Sequence, residues 1–161
     1  MTIAPTCFDS PRVPSTVYPP QHDSHLLIGA RTETGLASGA RVADLCTGSG
    51  VAALAAAAAG AAEVSAFDIC PEAVRHVRSS ALADGVDVQV HRGSWARAVE
   101  FGPFDLVVAN PPYVPHGPAD DSASIPASAG PARAWNAGAD GRLVLDPLCA
   151  AAPLLVDEGG T

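Results

Sequence analysis

Asn110-Pro111-Pro112-Tyr113 follows the apolar stretch 104–109 and places an amide, a stiffened backbone and an aromatic ring at the end of what reads as a buried strand. The Asn110 side-chain oxygen and the Pro111 carbonyl are two acceptors that can lie in the plane of an NH2 group and fix its orientation. Pro111 and Pro112 lock φ and hold that carbonyl rigid, and they are tolerated there because their missing N–H groups lie beyond the last ladder bond. Tyr113 adds a flat face for a planar group. The clamp suits attack by an amide or aryl-amine nitrogen, whose delocalised lone pair has to be aimed. Such positioning is worth up to roughly 7–11 kcal/mol. Taken alone, Pro-Pro-Tyr also reads as a strand terminator carrying an exposed tyrosine.

Upstream, "DLCTGSG" sets Asp44, Cys46, Gly48 and Gly50 in a turn between an apolar strand and an alanine helix. Gly48 and Gly50 let backbone approach a ligand closely, and a helix starting near Val51 aims its free N–H groups at the same place. A tight turn with no ligand has the same glycines. The dinucleotide fingerprint G-x-G-x-x-G is incomplete, because Val51, Ala52 and Ala53 follow Gly50, and Asp44 adds a negative charge. An adenosine compound bearing a cation fits better than a pyrophosphate, and S-adenosylmethionine is one, with Asp44 attracting its ammonium group. Asp68, eighteen positions after Gly50, can take hydrogen bonds from two ribose hydroxyls, and it also stands where it could cap a helix starting at Pro71. In "HRGSW", Ser94 can bond an adenine amine, and Trp95 can stack on the ring or simply pack at the strand end.

Those residues need a frame, and the hydrophobic pattern supplies one. Strands are expected at 41–46, 63–68, 86–91 and 104–110, with helices at 51–59 and 71–83, the second opening on Pro71 where a missing N–H costs nothing. This alternation predicts a doubly wound, Rossmann-like α/β domain, a parallel sheet with helices on both faces. Residues 1 to about 20 are rich in Pro, Ser and Thr and read as an extended arm, leading to a helix capped by Asp23 or Ser24. The expected division is 1–30 for the arm and the start of the first helix, and 31–161 for the domain. More than twenty residues after Tyr113 lack periodicity and are expected to form a substrate-facing loop. Helix resumes at about 142–152. "DEGG" is then a turn signal before a strand that does not follow, so the later strands are expected to be missing, the last edge bare and the chain a piece of a longer protein.

Composition narrows the function. The chain of 161 residues is 48% hydrophobic and 16% charged, as one globular domain is. A net charge of -8 disfavours non-specific nucleic-acid binding, which needs Lys and Arg against phosphate. Cys7, Cys46, Cys70 and Cys149 form no CxxC pair, and no histidine spacing improves on His22 and His25, so reduced thiols, a cytoplasmic setting and no metal are expected. The start of the chain lacks an apolar leader, and the small-apolar run 51–62 falls short of the ~20 residues of a membrane span.

"DLCTGSG", "FDIC" and "NPPY", in this order, resemble the class I S-adenosylmethionine-dependent methyltransferases, specifically the release factor glutamine methyltransferases. "VYPPQHDSHLL" is similar to the segment before the first strand in the eukaryotic-type branch, and "RAWNAGADGRLVLDPL" to the segment after the NPPY loop; the likeness runs from about Val17 to Gly160. The resemblance implies S-adenosylmethionine as cofactor, with Ser24, Asp44, Asp68 and Ser94 at cofactor positions and Asn110 at both cofactor and substrate positions. It implies a glutamine side chain of a release factor as acceptor, and a small activating partner subunit as in the eukaryotic-type branch. Cys46 stands where the family's turn often has glycine, and Ser94 where an acidic residue is common. Adenine methyltransferases of DNA and RNA share NPPY and form the alternative, against which Arg92, Arg97, Arg133 and Arg142 are few and scattered. A non-catalytic fragment is the other.

Overall fold

A computed structural model describes residues 13–117 and 130–161. The first twelve residues of the expected arm, with Cys7, and positions 118–129 of the expected substrate-facing loop lie outside the described residues. In chain order the elements are α1 (His22–Thr34), β1 (Arg41–Leu45), α2 (Val51–Ala58), β2 (Glu63–Asp68), α3 (Pro71–Asp84), β3 (Gln89–Arg92), a 3-10 turn over Trp95–Glu100, β4 (Leu106–Ala109) and α4 (Leu145–Leu155). The four strands are all parallel, in the order β3-β2-β1-β4. This is the doubly wound Rossmann-like sheet that the sequence predicts.

Alternation along the strands divides the core into two layers. Val42, Val64, Ala66, Leu106 and Val108 face α2 and α3, where Ala53, Ala56, Val74 and Val77 complete one buried cluster. Ala43, Leu45 and Phe67 face the other way, onto Ala98, Phe104, Leu148 and Leu155. Alanine is the strongest helix former and has the shortest side chain of the apolar helix formers, so α2, which reads VAALAAAA, packs closely on the sheet. The approach to α3 is closer still. Gly50, at φ 79°, has no room for a side chain, since a Cβ there would meet Val77 Cγ2 at 2.5 Å.

Several element boundaries differ from those expected, among them β4, which spans Leu106–Ala109 rather than 104–110. β3 starts at Gln89 rather than Val86, because Gly85 ends α3 at φ 66° and the Val86 N–H turns back to the Ala81 carbonyl at 3.0 Å. That six-to-one bond makes Val86 part of the helix stop. α4 begins at Leu145 rather than Arg142, although the Asp146 N–H already reaches the Arg142 carbonyl at 3.1 Å. α1 begins at His22, so Asp23 and Ser24 lie in its first turn rather than capping it.

The outer edge of β4 is partly covered rather than bare. Val156 bridges Phe104 in parallel register. Thr161 then donates its N–H to Asp105 O at 2.9 Å and accepts from Val107 N at 2.8 Å. Buried Leu155 anchors this return, so the residues after α4 run alongside β4.

Candidate active site

Leu45 of β1 is in register with Ala109 of β4, so the next residues, Cys46 and Asn110, leave the carboxyl end of the sheet side by side. This is where strand order reverses, from β1–β2–β3 on one side to β4 on the other, and where open α/β sheets bind ligands.

The turn after β1 is sewn to the end of β2. Thr47 N–H donates to Phe67 O at 3.0 Å, and Gly48 N–H donates to the Asp68 carboxylate at 2.8 Å. The other Asp68 oxygen accepts from Cys70 N at 2.8 Å. Asp68 therefore braces both turns and holds the residue ahead of Pro71; the N-cap of α3 is Cys70, without a side-chain bond. Each carboxylate oxygen can accept a second hydrogen bond, so acceptor capacity remains. Cys46 carries a φ of 58°, the only positive value at a non-glycine among the described residues. Burial pushes its thiol up to about 12, with the Asp68 and Asp44 carboxylates adding to the shift, so it stays neutral.

Asp44 is buried, and one of its oxygens accepts from Thr47 Oγ1 at 2.6 Å and from Ala53 N at 3.0 Å. Ala53 is the third residue of α2, whose N-cap, Gly50, has no side chain to offer. A carboxylate from the neighbouring strand thus satisfies an orphan donor at the positive end of the helix dipole. The acid expected to attract an ammonium group is also a structural cap.

A cavity of about 240 Å³ opens between these turns, bordered by Cys46, Gly48, Asp68, Ser94, Trp95, Asn110 and Pro112. Thr16, Val17 and Tyr18 border it from the segment before α1, and Arg133 from the segment after residue 130. Val17 is buried with Cys70 and Ala73, and Arg133 donates to Thr16 O at 3.0 Å and to the Cys70 sulfur at 3.2 Å. Two smaller cavities of about 40 Å³ adjoin it, one bordered by Ser24, Asp44 and Gly48, the other by Asp23, Pro111, Pro112 and Tyr113. Asn110 and Tyr18 border all three. Gly50 borders none of them; Val77 is the neighbour that requires its glycine.

Around Asn110 the structure gathers Tyr113 and Ser24, which the sequence places in the site, with Asp23 and Tyr18, which it does not. Asn110 Nδ2 donates to Asp23 Oδ2 at 2.9 Å, and the same oxygen accepts from the Tyr113 hydroxyl at 3.2 Å and the Tyr18 hydroxyl at 3.4 Å. Asp23 Oδ1 takes the Ser24 N–H at 2.7 Å. Burial works against the Asp23 charge, but the bonds from Asn110, Ser24 and Tyr113 outweigh it and hold the carboxyl below its usual value. Desolvation, reinforced by the Asp23 charge, pushes Tyr18 up to about 12 and raises Tyr113 as well. Sequence alone marks Asp23 as a helix cap, because its partners lie 87 and 90 positions away.

The backbone beyond the clamp is held too. Val114 N–H donates to Trp135 O, and Ala137 N–H returns to Val114 O, at 2.8 and 3.0 Å. His116 N–H reaches Gly138 O at 2.8 Å. The segment "RAWNAGADGR" thus pairs against the NPPY segment and fixes its direction.

The profile of the family described as methyltransferase small domain matches residues 22–127, the stretch that holds both turns, Asp23 and the clamp. The chain belongs to this family. Among relatives of this methyltransferase domain, the release factor glutamine methyltransferase of Rhodospirillum rubrum is 40% identical over 149 residues, covering 88% of the chain and 44% of the relative. That of Deinococcus radiodurans is 42% identical over 122 residues, covering 74% and 43%. The chain spans less than half the length of these curated relatives. Among solved structures, the ribosomal protein L11 methylase of Lactobacillus delbrueckii subsp. bulgaricus matches with a TM-score of 0.62 at 25% identity, over 89% of this chain and 60% of that one. The Thermus thermophilus 16S rRNA N2 G1207 methyltransferase, solved with AdoMet and guanosine, matches with a TM-score of 0.55 at 28% identity, over 60% and 27%. Among the described residues no helix of the methyltransferase domain is long and apolar enough to cross a membrane, and no group of three or more His, Cys, Asp or Glu side chains could hold a metal ion.

Proposed function

We propose that this chain carries the cofactor site and acceptor clamp of an S-adenosylmethionine-dependent methyltransferase that modifies a planar amide nitrogen, the side chain of a glutamine in a peptide-chain release factor. The observation that carries the reading is Asn110, which borders all three cavities with its amide nitrogen given to Asp23 and its Oδ1 bonded to nothing among the described residues. The names of the relatives support a protein acceptor, the net charge of -8 favours protein over nucleic acid, and translation places the reaction in the cytoplasm. By the resemblance, a small activating subunit belongs to the same reading.

The donor set fits the cofactor. Asp23, Asp44 and Asp68 make the site acidic, which suits a molecule with a sulfonium and an ammonium group and repels a pyrophosphate. Asp68 would hold the ribose, Gly48 and the turn around it the sugar and tail, Ser24 and Asp44 the amino-acid end, and Ser94 with Trp95 the adenine. S-adenosylmethionine, when bound, supplies a methyl group on a sulfonium that departs as a neutral thioether.

The chain's own residues supply orientation. Asn110 Oδ1 and the Pro111 carbonyl accept from the acceptor NH2, hold it in one plane and leave its lone pair along the line of attack. As the N–C bond forms, positive charge grows on nitrogen, and the same two oxygens stabilise it. The nitrogen then loses one proton to solvent, so no side-chain base is required. Tyr113 flanks the planar group. Incubation with labelled cofactor, a release factor and nucleic acid tests the reading: label on a release-factor glutamine is expected, and label only on nucleic acid overturns it. Asn110→Ala should reduce turnover far more than cofactor affinity, and Asp68→Ala the reverse.

A further inference from the structure

Asn110 has a symmetry problem that the clamp must solve. The two ends of its carboxamide are nearly the same size and opposite in hydrogen-bonding sense. Turned one way it presents an acceptor to the incoming NH2, and turned the other way it presents a donor, which repels it. Packing alone cannot choose between them, so a partner of fixed polarity has to.

We propose that Asp23 is the positioning residue of the acceptor site, holding the Asn110 carboxamide with nitrogen outward and oxygen toward the substrate. This rests on the amide-nitrogen reading above. An ionised carboxylate only accepts, so the Asn110 group facing Asp23 Oδ2 at 2.9 Å has to be the NH2. Oδ1 is then left for the acceptor, and it has no other partner among the described residues. The Tyr113 hydroxyl donates to the same Asp23 oxygen at 3.2 Å, which sets the position of the second clamp side chain. Asp23 is itself held, since Oδ1 accepts from Ser24 N at 2.7 Å in the first turn of α1. Against the effect of burial, the bonds from Asn110, Ser24 and Tyr113 hold its carboxyl below the usual value, so it is ionised at neutral pH. Asp23 acts through Asn110 and Tyr113 and takes no part in bond making.

The substitution that separates positioning from folding is Asp23→Asn, which keeps size and shape but not polarity. Whichever way the new carboxamide turns, a donor faces a donor: at Ser24 N if its oxygen stays with Asn110, or at Asn110 if it stays with Ser24, the Tyr113 hydroxyl being able to rotate and accept. Asn110 relieves the second conflict by turning over, which presents its NH2 to the substrate. Turnover should fall on the order of 100-fold, as small misplacements in an attack geometry do, while the dissociation constant for S-adenosylmethionine changes less than about twofold. Asp23→Glu, still acceptor-only, should recover part of the loss. In an Asn110→Ala background Asp23→Asn should cost little more, because neighbours acting through one contact are not additive.

A readout independent of turnover is at hand, because the chain contains just two asparagines, Asn110 and Asn136. In the 161-residue chain labelled with 15N-asparagine, Asp23→Asn should move the Asn110 side-chain NH2 pair and leave that of Asn136 in place. Full turnover in Asp23→Asn, additive losses in the double variant, or an unmoved Asn110 pair would each overturn the role of Asp23. Absence of amide methylation by the unaltered chain counts instead against the proposed function, and the asparagine signals then decide Asp23 by themselves.

Discussion

Asp23 titrates in a direction that can be checked by unfolding. Its folded carboxyl lies below the ordinary value of about 4 that it has in an unfolded chain. A depressed acid stabilises the folded state fully above the unfolded value and loses that contribution as pH falls through the folded one. Denaturant midpoints of the chain and of Asp23→Asn should therefore differ most at pH 5–7 and converge as pH drops below about 4. A gap that widens in acid would contradict the carboxylate bonds described. At the same scale, the sequence was legible wherever a residue's purpose is local. Asn110, Asp68 and Gly48 were visible from their places at strand ends, and all three border the main cavity. Tyr18 and Asp23 were not, because nothing near them in sequence signals a partner beyond β4. Cys46 falls between the two cases: its place in the turn is legible, but its φ of 58°, a value that favours glycine, is not.

Among the elements, the contact between α2 and α3 depends on a missing atom. Gly50→Ala adds a methyl within 2.5 Å of Val77 Cγ2 at a φ of 79°. Overpacking and a left-handed alanine together should cost about 2–5 kcal/mol in urea unfolding. Gly85→Ala is the control, since φ is 66° there but a Cβ would meet nothing within 4 Å; the loss should stay near ~1–2 kcal/mol. Equal losses would mean that Val77 moves aside freely. Strands and helices were readable because burial imposes periods of two and of three to four on the sequence. Their ends were less so. Gly85 marks the stop of α3 by residue type, but the Val86 N–H bond back to Ala81, which keeps Val86 out of β3, leaves no such mark.

For the molecule as a whole, parallel order and the meeting of β1 with β4 bring two distant motifs to one crevice. A ligand gripped there stabilises everything the crevice joins. S-adenosylmethionine at a hundredfold excess over its dissociation constant should add about 2.7 kcal/mol, and so raise the unfolding midpoint by roughly 5–11 °C for a chain of this size. Asp68→Ala should shrink that shift at the same concentration, and an unchanged shift would move the cofactor elsewhere. The doubly wound class followed from alternating segments alone. The return of the last residues along β4 and the pairing of 114–116 with 135–138 did not, because both join stretches of no regular period.

The rim of the main cavity is made by the residues before α1 and after residue 130. Burial of Val17 against Cys70 and Ala73 contributes about 1.5–2 kcal/mol. Thr16 O accepts from Arg133 at 3.0 Å, and the Tyr18 hydroxyl donates to Asp23 at 3.4 Å. A substitution at Val17 therefore reshapes the rim around a ligand while the sheet that forms its floor stays as it is.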